Sequence, residues 1–167
     1  MKKRLFIFLS CVISIVLICA MFAACTDDEK TKNSSDKDPI IGTWLCSDTD
    51  DGSAYFVEIS AKEYDENDKT SQYRLNWKMY RIFEWRATMD VVTEDLNINP
   101  KYEGKYSLYC DFKTTYNIRN DYKIEMSTSD TFVVTGTYTD IYEKDLRLEF
   151  NRSSLTADQF ETQYLNK

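Results

Sequence analysis

From Ile40 onward, apolar and polar side chains alternate with period two almost everywhere, the pattern of strands with one buried and one solvated face. Tyr106, Leu108, Cys110 and Phe112 share one phase, with Lys105, Ser107 and Asp111 on the other. Tyr122, Ile124 and Met126 alternate with Lys123, Glu125 and Ser127, and Leu146, Leu148 and Phe150 with Arg147, Glu149 and Asn151. Polar breaks at 47–53, 65–70, 97–104, 119–121, 127–130 and 139–144 separate the runs, so the chain reads as short strands with tight connections. The run from Tyr73 to Val92 has no clear turn, and its apolar phase slips near Tyr80; a bulge or a change of strand there would account for the slip. The pattern predicts seven or eight antiparallel strands. After Ser153-Ser154, "LTADQFETQYL" predicts a short helix with a Ser or Thr cap and apolar Leu155, Phe160 and Tyr164.

Composition supports strands. The chain has 12 Tyr and 3 Trp, with only 4 Gly and 2 Pro, so aromatics favour sheet and the turns must rely on Asn, Asp and Ser. Many short strands close as a barrel or stack as a sandwich. An eight-stranded barrel encloses room for packed side chains or one small ligand.

Ahead of this domain, MKKR precedes an unbroken apolar segment, Leu5 to Ala24. A basic start, an apolar middle and a small-residue end make a secretory signal; a retained membrane helix is the rival reading, because the segment is long enough to span a bilayer. The end of the segment, "FAACTDDE", resembles a bacterial lipoprotein signal, in which small residues precede a cysteine that is lipidated before cleavage. That resemblance implies removal of residues 1–24 and a palmitate-type acyl anchor on Cys25, which places the protein in the cell envelope. More than one acyl chain is needed for stable attachment. Residues 26–38, "TDDEKTKNSSDKD", contain no apolar side chain and read as a tether following the lipidated cysteine. The acidic "DDE" also resembles the export tag of Bacteroidetes lipoproteins displayed on the outer membrane surface. Losing the signal removes three cations and no acid, leaving a net charge of about −10, which repels nucleic acid and anionic head groups.

The first strand opens with "IIGTW", which resembles the Gly-x-Trp motif on the first strand of lipocalins and of bacterial lipocalin-like lipoproteins. Gly42 and Trp44 hold the two motif places, and Arg152 stands where that family has an arginine packing over the tryptophan. The resemblance covers residues 39–167. It implies an all-β, antiparallel up-and-down eight-stranded barrel with a short C-terminal helix, and non-catalytic binding of a small hydrophobic or amphipathic ligand.

Chemistry is sparse. There is no histidine, which removes His-dependent nucleophile systems and His-ligated metals; no phosphate loop is present, and neither an enzyme nor a cofactor is expected. Glu94-Asp95 is one acid pair of a type used in glycoside hydrolysis, yet nothing singles it out among 28 acids. "SDTDDGS" (residues 47–53) carries three Asp but lacks the EF-hand spacing and reads as an acidic turn, so no metal is expected. Cys46 and Cys110 are either a disulfide, favoured by an oxidising envelope, or two buried thiols. A barrel argues for thiols, because a bridge needs alpha carbons within about 7 Å. Trp44, Tyr55, Trp77, Trp85 and Tyr106 fall on the apolar phase. They line a ligand pocket if the interior is open and form the core if it is filled. In the filled case binding passes to the outer face, to a protein or glycan, with Tyr80 and Tyr109 as the aromatics on that phase.

Overall fold

The alternating runs become eight strands: β1 (Gly42–Cys46), β2 (Ala54–Ala61), β3 (Arg74–Ile82), β4 (Met89–Ile98), β5 (Lys105–Cys110), β6 (Asn120–Thr128), β7 (Thr131–Thr139) and β8 (Glu143–Arg152). A short helix, α1 (Ala157–Tyr164), follows. The structure is a computed structural model describing residues 38–84, 88–112, 119–139 and 143–165. The expected signal, Cys25, residues 26–37 and Trp85 lie outside these residues. Each strand pairs antiparallel with the next, and β1 pairs with β8, closing an up-and-down barrel. The all-β, eight-stranded antiparallel reading with a C-terminal helix is what the structure shows.

Closure is uneven. The β7–β8 ladder runs from Thr131↔Asn151 to Thr139↔Glu143. The β4–β5 ladder holds only Leu96↔Leu108, Asn97↔Ser107 and Ile98↔Tyr106. The β1–β8 seam holds only Trp44↔Arg152 and Leu45↔Asn151. The wall is therefore tight where β1 begins and β8 ends, at the closed end. The opposite end, the mouth, is where β1, β3, β5 and β7 end and β2, β4, β6 and β8 begin.

The run from Tyr73 to Val92 does change strand, β3 ending at Ile82 and β4 beginning at Met89, but the slip of phase at Tyr80 itself comes before that boundary and is not a bulge. The β3–β4 register is unbroken from Arg74↔Asn97 to Ile82↔Met89. Leu75, Trp77 and Met79 face the interior, whereas Tyr80 and Ile82 face outward and are still buried. The cause is α1, which lies against the outside of β2 and β3. Phe160 is fully buried there and stacks on Phe56 at 5.6 Å, within a second apolar cluster of Ala54, Phe56, Tyr80 and Ile82. Fully burying one such ring is worth about 1.5–3 kcal/mol. The helix starts at a capping box: Thr156 Oγ1 accepts from the Gln159 N–H, and the Gln159 side chain accepts from the Thr156 N–H. Tyr80 is thus an outer-face residue, as its phase implies, but it is covered rather than available. Tyr109 is half exposed on the outside of β5.

Two boundaries differ from the sequence reading. The break placed at 119–121 falls at the start of β6, and the connection occupies 111–119. As a result Phe112 belongs to a connection rather than a strand, and Asp111 is buried rather than solvated. Once the strand ends at Cys110, alternation no longer fixes direction.

Candidate ligand site at the mouth of the barrel

At the closed end every polar group considered has a partner. Trp44 is fully buried and its Nε1–H donates to the Ile40 carbonyl at 2.8 Å. Arg152 lies over the Trp44 ring, its guanidinium carbon 4.2 Å from the centroid. Its nitrogens donate to the carbonyls of Pro39, Ile41 and Ser129. Gly42 passes beneath that guanidinium with φ +139°, and a Cβ there would stand 2.6 Å from Arg152 Nη1. Gly42, Trp44 and Arg152 therefore form one contact unit, in which glycine is needed for both conformation and space. Ile40, fully buried, plugs this end, and Tyr106 Oη donates to Asp38. Burial, and then Asp38, hold the Tyr106 phenol well above its ordinary range.

Four of the five aromatics singled out in the sequence, Trp44, Tyr55, Trp77 and Tyr106, are buried in the interior; Trp85 is outside the described residues. They do not line an empty cup. Trp44 meets Phe132 at 4.8 Å, Phe132 stacks on Phe150 at 4.8 Å, and Trp77 lies 6.1 Å from Phe132 and 6.4 Å from Phe150. Dispersion over such contacts favours a filled interior.

Toward the mouth the chemistry changes. Phe112, fully buried, reaches in from its connection and is ringed by Tyr122 at 4.8 Å, Tyr55 at 6.1 Å and Trp77 at 6.1 Å. Tyr122 can lie close because Gly136 is opposite it: a Cβ there would stand 2.7 Å from the Tyr122 ring. Among the described residues, Tyr55 Oη, Trp77 Nε1, Tyr122 Oη and Arg81 Nε are buried with no hydrogen bond of normal geometry, Ser53 lying near the Tyr55 phenol and Asn120 near that of Tyr122. The rings measured against Trp77, those of Phe112, Phe132 and Phe150, offer no acceptor. An unmatched buried donor costs about 1–3 kcal/mol. Beside them Arg81, 7% exposed, points inward from β3. Its Nη1 donates to the Asp111 carbonyl at 2.7 Å. Its contacts to the carboxylates of Asp111 (3.5 Å) and Asp90 (3.6 Å) are longer than a hydrogen bond. Burial pushes the Tyr55 phenol far up, with Asp51 adding to the effect.

The other candidate groups do not join this cluster as reactive centres. Glu94 pairs with Trp77 across the sheet and its side chain meets Arg119 at 2.5 Å, while Asp95 meets Lys62 and Arg74. Neighbours on a strand point to opposite faces, so this acid pair cannot flank one bond. No disulfide joins Cys46 and Cys110, which are both buried. β1 borders β2 and β8 while β5 borders β4 and β6, which sets the two thiols on different walls and corrects the bridged alternative. Burial, then Glu94 and Asp111, raise the Cys110 thiol far above its usual value, the opposite of what a nucleophilic thiolate requires. The acidic loop 47–53 bonds to itself: Asp51 accepts from the Ser53 N–H, and Thr49 Oγ1 donates to the Ser53 carbonyl. Among the described residues, no three His, Cys, Asp or Glu side chains are grouped to hold a metal.

Sequence reading missed Arg81, Asp90 and Asp111, while Phe112 stood on the inward phase of Tyr106, Leu108 and Cys110 and is buried there. Arg81 and Asp90 carried a signal, being charged residues on the inward phase of Leu75, Trp77 and Met79 and of Val92 and Leu96. Asp111 carried none, because the strand stops one residue before it and alternation had placed it on the solvated face. Comparison of the chain with family models, curated proteins and solved structures found no match.

Proposed function

We propose that this is an extracytoplasmic lipoprotein, anchored through Cys25, whose barrel binds a small ligand without chemistry at the mouth half of its interior. The observation that carries the reading is the set of buried donors unmatched among the described residues, Tyr55 Oη, Trp77 Nε1 and Tyr122 Oη, in the same shell as Phe112. Buried polar groups ordinarily find partners, and sites where they do not are where a ligand supplies one. The packed half around Trp44, Phe132 and Phe150 serves as core, so the ligand is small rather than a long amphipathic chain. The lipocalin resemblance supports the reading through Gly42, Trp44 and Arg152, whose mutual contact ties the first strand to the last.

A second reading has its own support. The interior is filled by side chains, which favours an interaction module contacting a protein or glycan through its outer face. Tyr109, 50% exposed with the Arg119 guanidinium 5.9 Å from its ring, is the feature it would use.

The deciding experiment is native mass spectrometry of the full chain extracted gently from its host. The ligand reading predicts a reproducible extra mass that leaves on denaturation, beyond the acyl mass on Cys25, and loss of the acyl mass in Cys25→Ser. A chain that carries only its lipid, unchanged after incubation with envelope extracts, supports the outer-face reading instead.

A further inference from the structure

We infer that Phe112 is a built-in occupant of the ligand site, and that the molecule displacing it is a neutral planar ring bearing a hydrogen-bond acceptor. The inference rests on the small-ligand reading above and names its ligand class and its gate.

Three observations meet at this residue. Phe112 comes from a connection, yet it is fully buried inside the barrel, ringed by Tyr55, Trp77 and Tyr122 at 4.8 to 6.1 Å. The three walls meet the Phe112 ring tilted or edge-on, at 59° to 77°, an arrangement that aromatic pairs favour and that encloses one ring. The slot is polar where its occupant is not: among the described residues Tyr55 Oη, Trp77 Nε1 and Tyr122 Oη, one from each wall, are buried and unmatched, and a phenyl ring has no atom to accept from them. A ring carrying a carbonyl or a pyridine-type nitrogen would keep these edge-on contacts and supply a missing acceptor. The residue before Phe112 is held by Arg81 through one backbone bond of 2.7 Å and a loose carboxylate contact of 3.5 Å. That latch ties the plug to β3 and leaves the Phe112 side chain itself without a polar tie.

Charge selects against an anion. Arg81 faces two carboxylates, Asp90 and Asp111, Arg119 is taken up by Glu94, and Asp51 also acts on Tyr55. A second negative charge would enter an already negative surround. A cation would leave these donors unmatched.

Self-occupancy lowers apparent affinity by the fraction of molecules in which the plug is out, so removing the plug raises it. The test compares the full chain with Phe112→Ala, using benzamide as the neutral acceptor ring, toluene as the ring without an acceptor, and benzoate as the anion. Binding is read from the Trp77 indole N–H resonance and by calorimetry. Expected is a gain of at least about 10-fold for benzamide in Phe112→Ala, with benzamide ahead of both toluene and benzoate. Adding Trp77→Phe to Phe112→Ala should bring benzamide down to the toluene level. A folded Phe112→Ala that fails to bind benzamide saturably, or binds benzamide and toluene alike, overturns the inference, because the space would then be a generic void. If Phe112→Ala does not fold, Phe112→Leu carries the same comparison, and no gain there also overturns it. Failure of the parent reading looks different: no ligand mass on the host-derived chain, although Phe112→Ala binds benzamide as expected. A host-derived mass that persists in Trp77→Phe keeps the parent reading and sinks this one.

Discussion

The two ends of the barrel are built from the same kinds of residue and arrive at opposite electrostatic states. At the closed end a buried tryptophan, an arginine and a chain of carbonyls satisfy one another: Trp44 donates to Ile40, and Arg152 covers Trp44 while binding three carbonyls. Toward the mouth a buried tryptophan, a tyrosine and an arginine gather about a phenylalanine, and among the described residues one donor of each is left without a hydrogen bond. Both tryptophans are 0% exposed. Burial therefore does not separate scaffold from site here, whereas hydrogen-bond accounting does.

Substitutions can break the contrast. The largest effect is expected from Trp44→Ala, a loss of about 3–5 kcal/mol, read by denaturant unfolding. Gly42→Ala should follow at about 1–3 kcal/mol, since the new methyl group meets Arg152 on a backbone with φ +139°. A matched pair sharpens the comparison further. Trp44→Phe strands the Ile40 carbonyl, whereas Trp77→Phe removes a donor that had no partner, so Trp77→Phe should be cheaper by about 1–3 kcal/mol. Equal costs would erase the distinction.

Alkali should act on both ends together. Tyr55, Tyr106, Tyr122 and Cys110 are all held protonated in the fold, first of all by burial. The unfolded chain releases these protons from about pH 9 for the thiol and pH 10 for the phenols. Unfolding then releases protons, and rising pH favours it. Stability should be flat below pH 9 and fall above it, with tyrosinate absorbance from these three rings appearing only with the unfolding transition. Titration of all the tyrosines in a still-folded chain would contradict this. The smallest effect is acidic. Asp68 on the β2–β3 connection is lowered by hydrogen bonds from Thr70. Its contribution is present above its ordinary value of 3.8 and is lost as pH falls through the lower folded value. Asp68→Asn should flatten only that acid limb.

How far the sequence reached follows from the same contrast. Period-two alternation survives wherever a strand has one wet face, so β5, β6 and β8 were legible residue by residue. It failed at Tyr80 and Ile82 because α1 covers a face that would otherwise be polar, an effect arising from residues some eighty positions away. The closed-end unit was legible as Gly42, Trp44 and Arg152 because a close approach demands specific residue types. The mouth was half legible: Tyr55 and Trp77 stood out, while Phe112 and Asp111 were assigned from a strand pattern that had already ended at Cys110. Which donors lack acceptors is a property of packing, and no spacing rule encodes it.

The contrast is tested most directly by native-state hydrogen exchange of the indole N–H groups of Trp44 and Trp77, followed through low denaturant by NMR. The account predicts that Trp44 exchanges only with global unfolding, and that Trp77 exchanges through a smaller, denaturant-insensitive opening when Phe112 leaves its slot. Exchange of both indoles with the same free energy and the same denaturant dependence would contradict it, and would make the mouth as rigid a part of the core as the closed end.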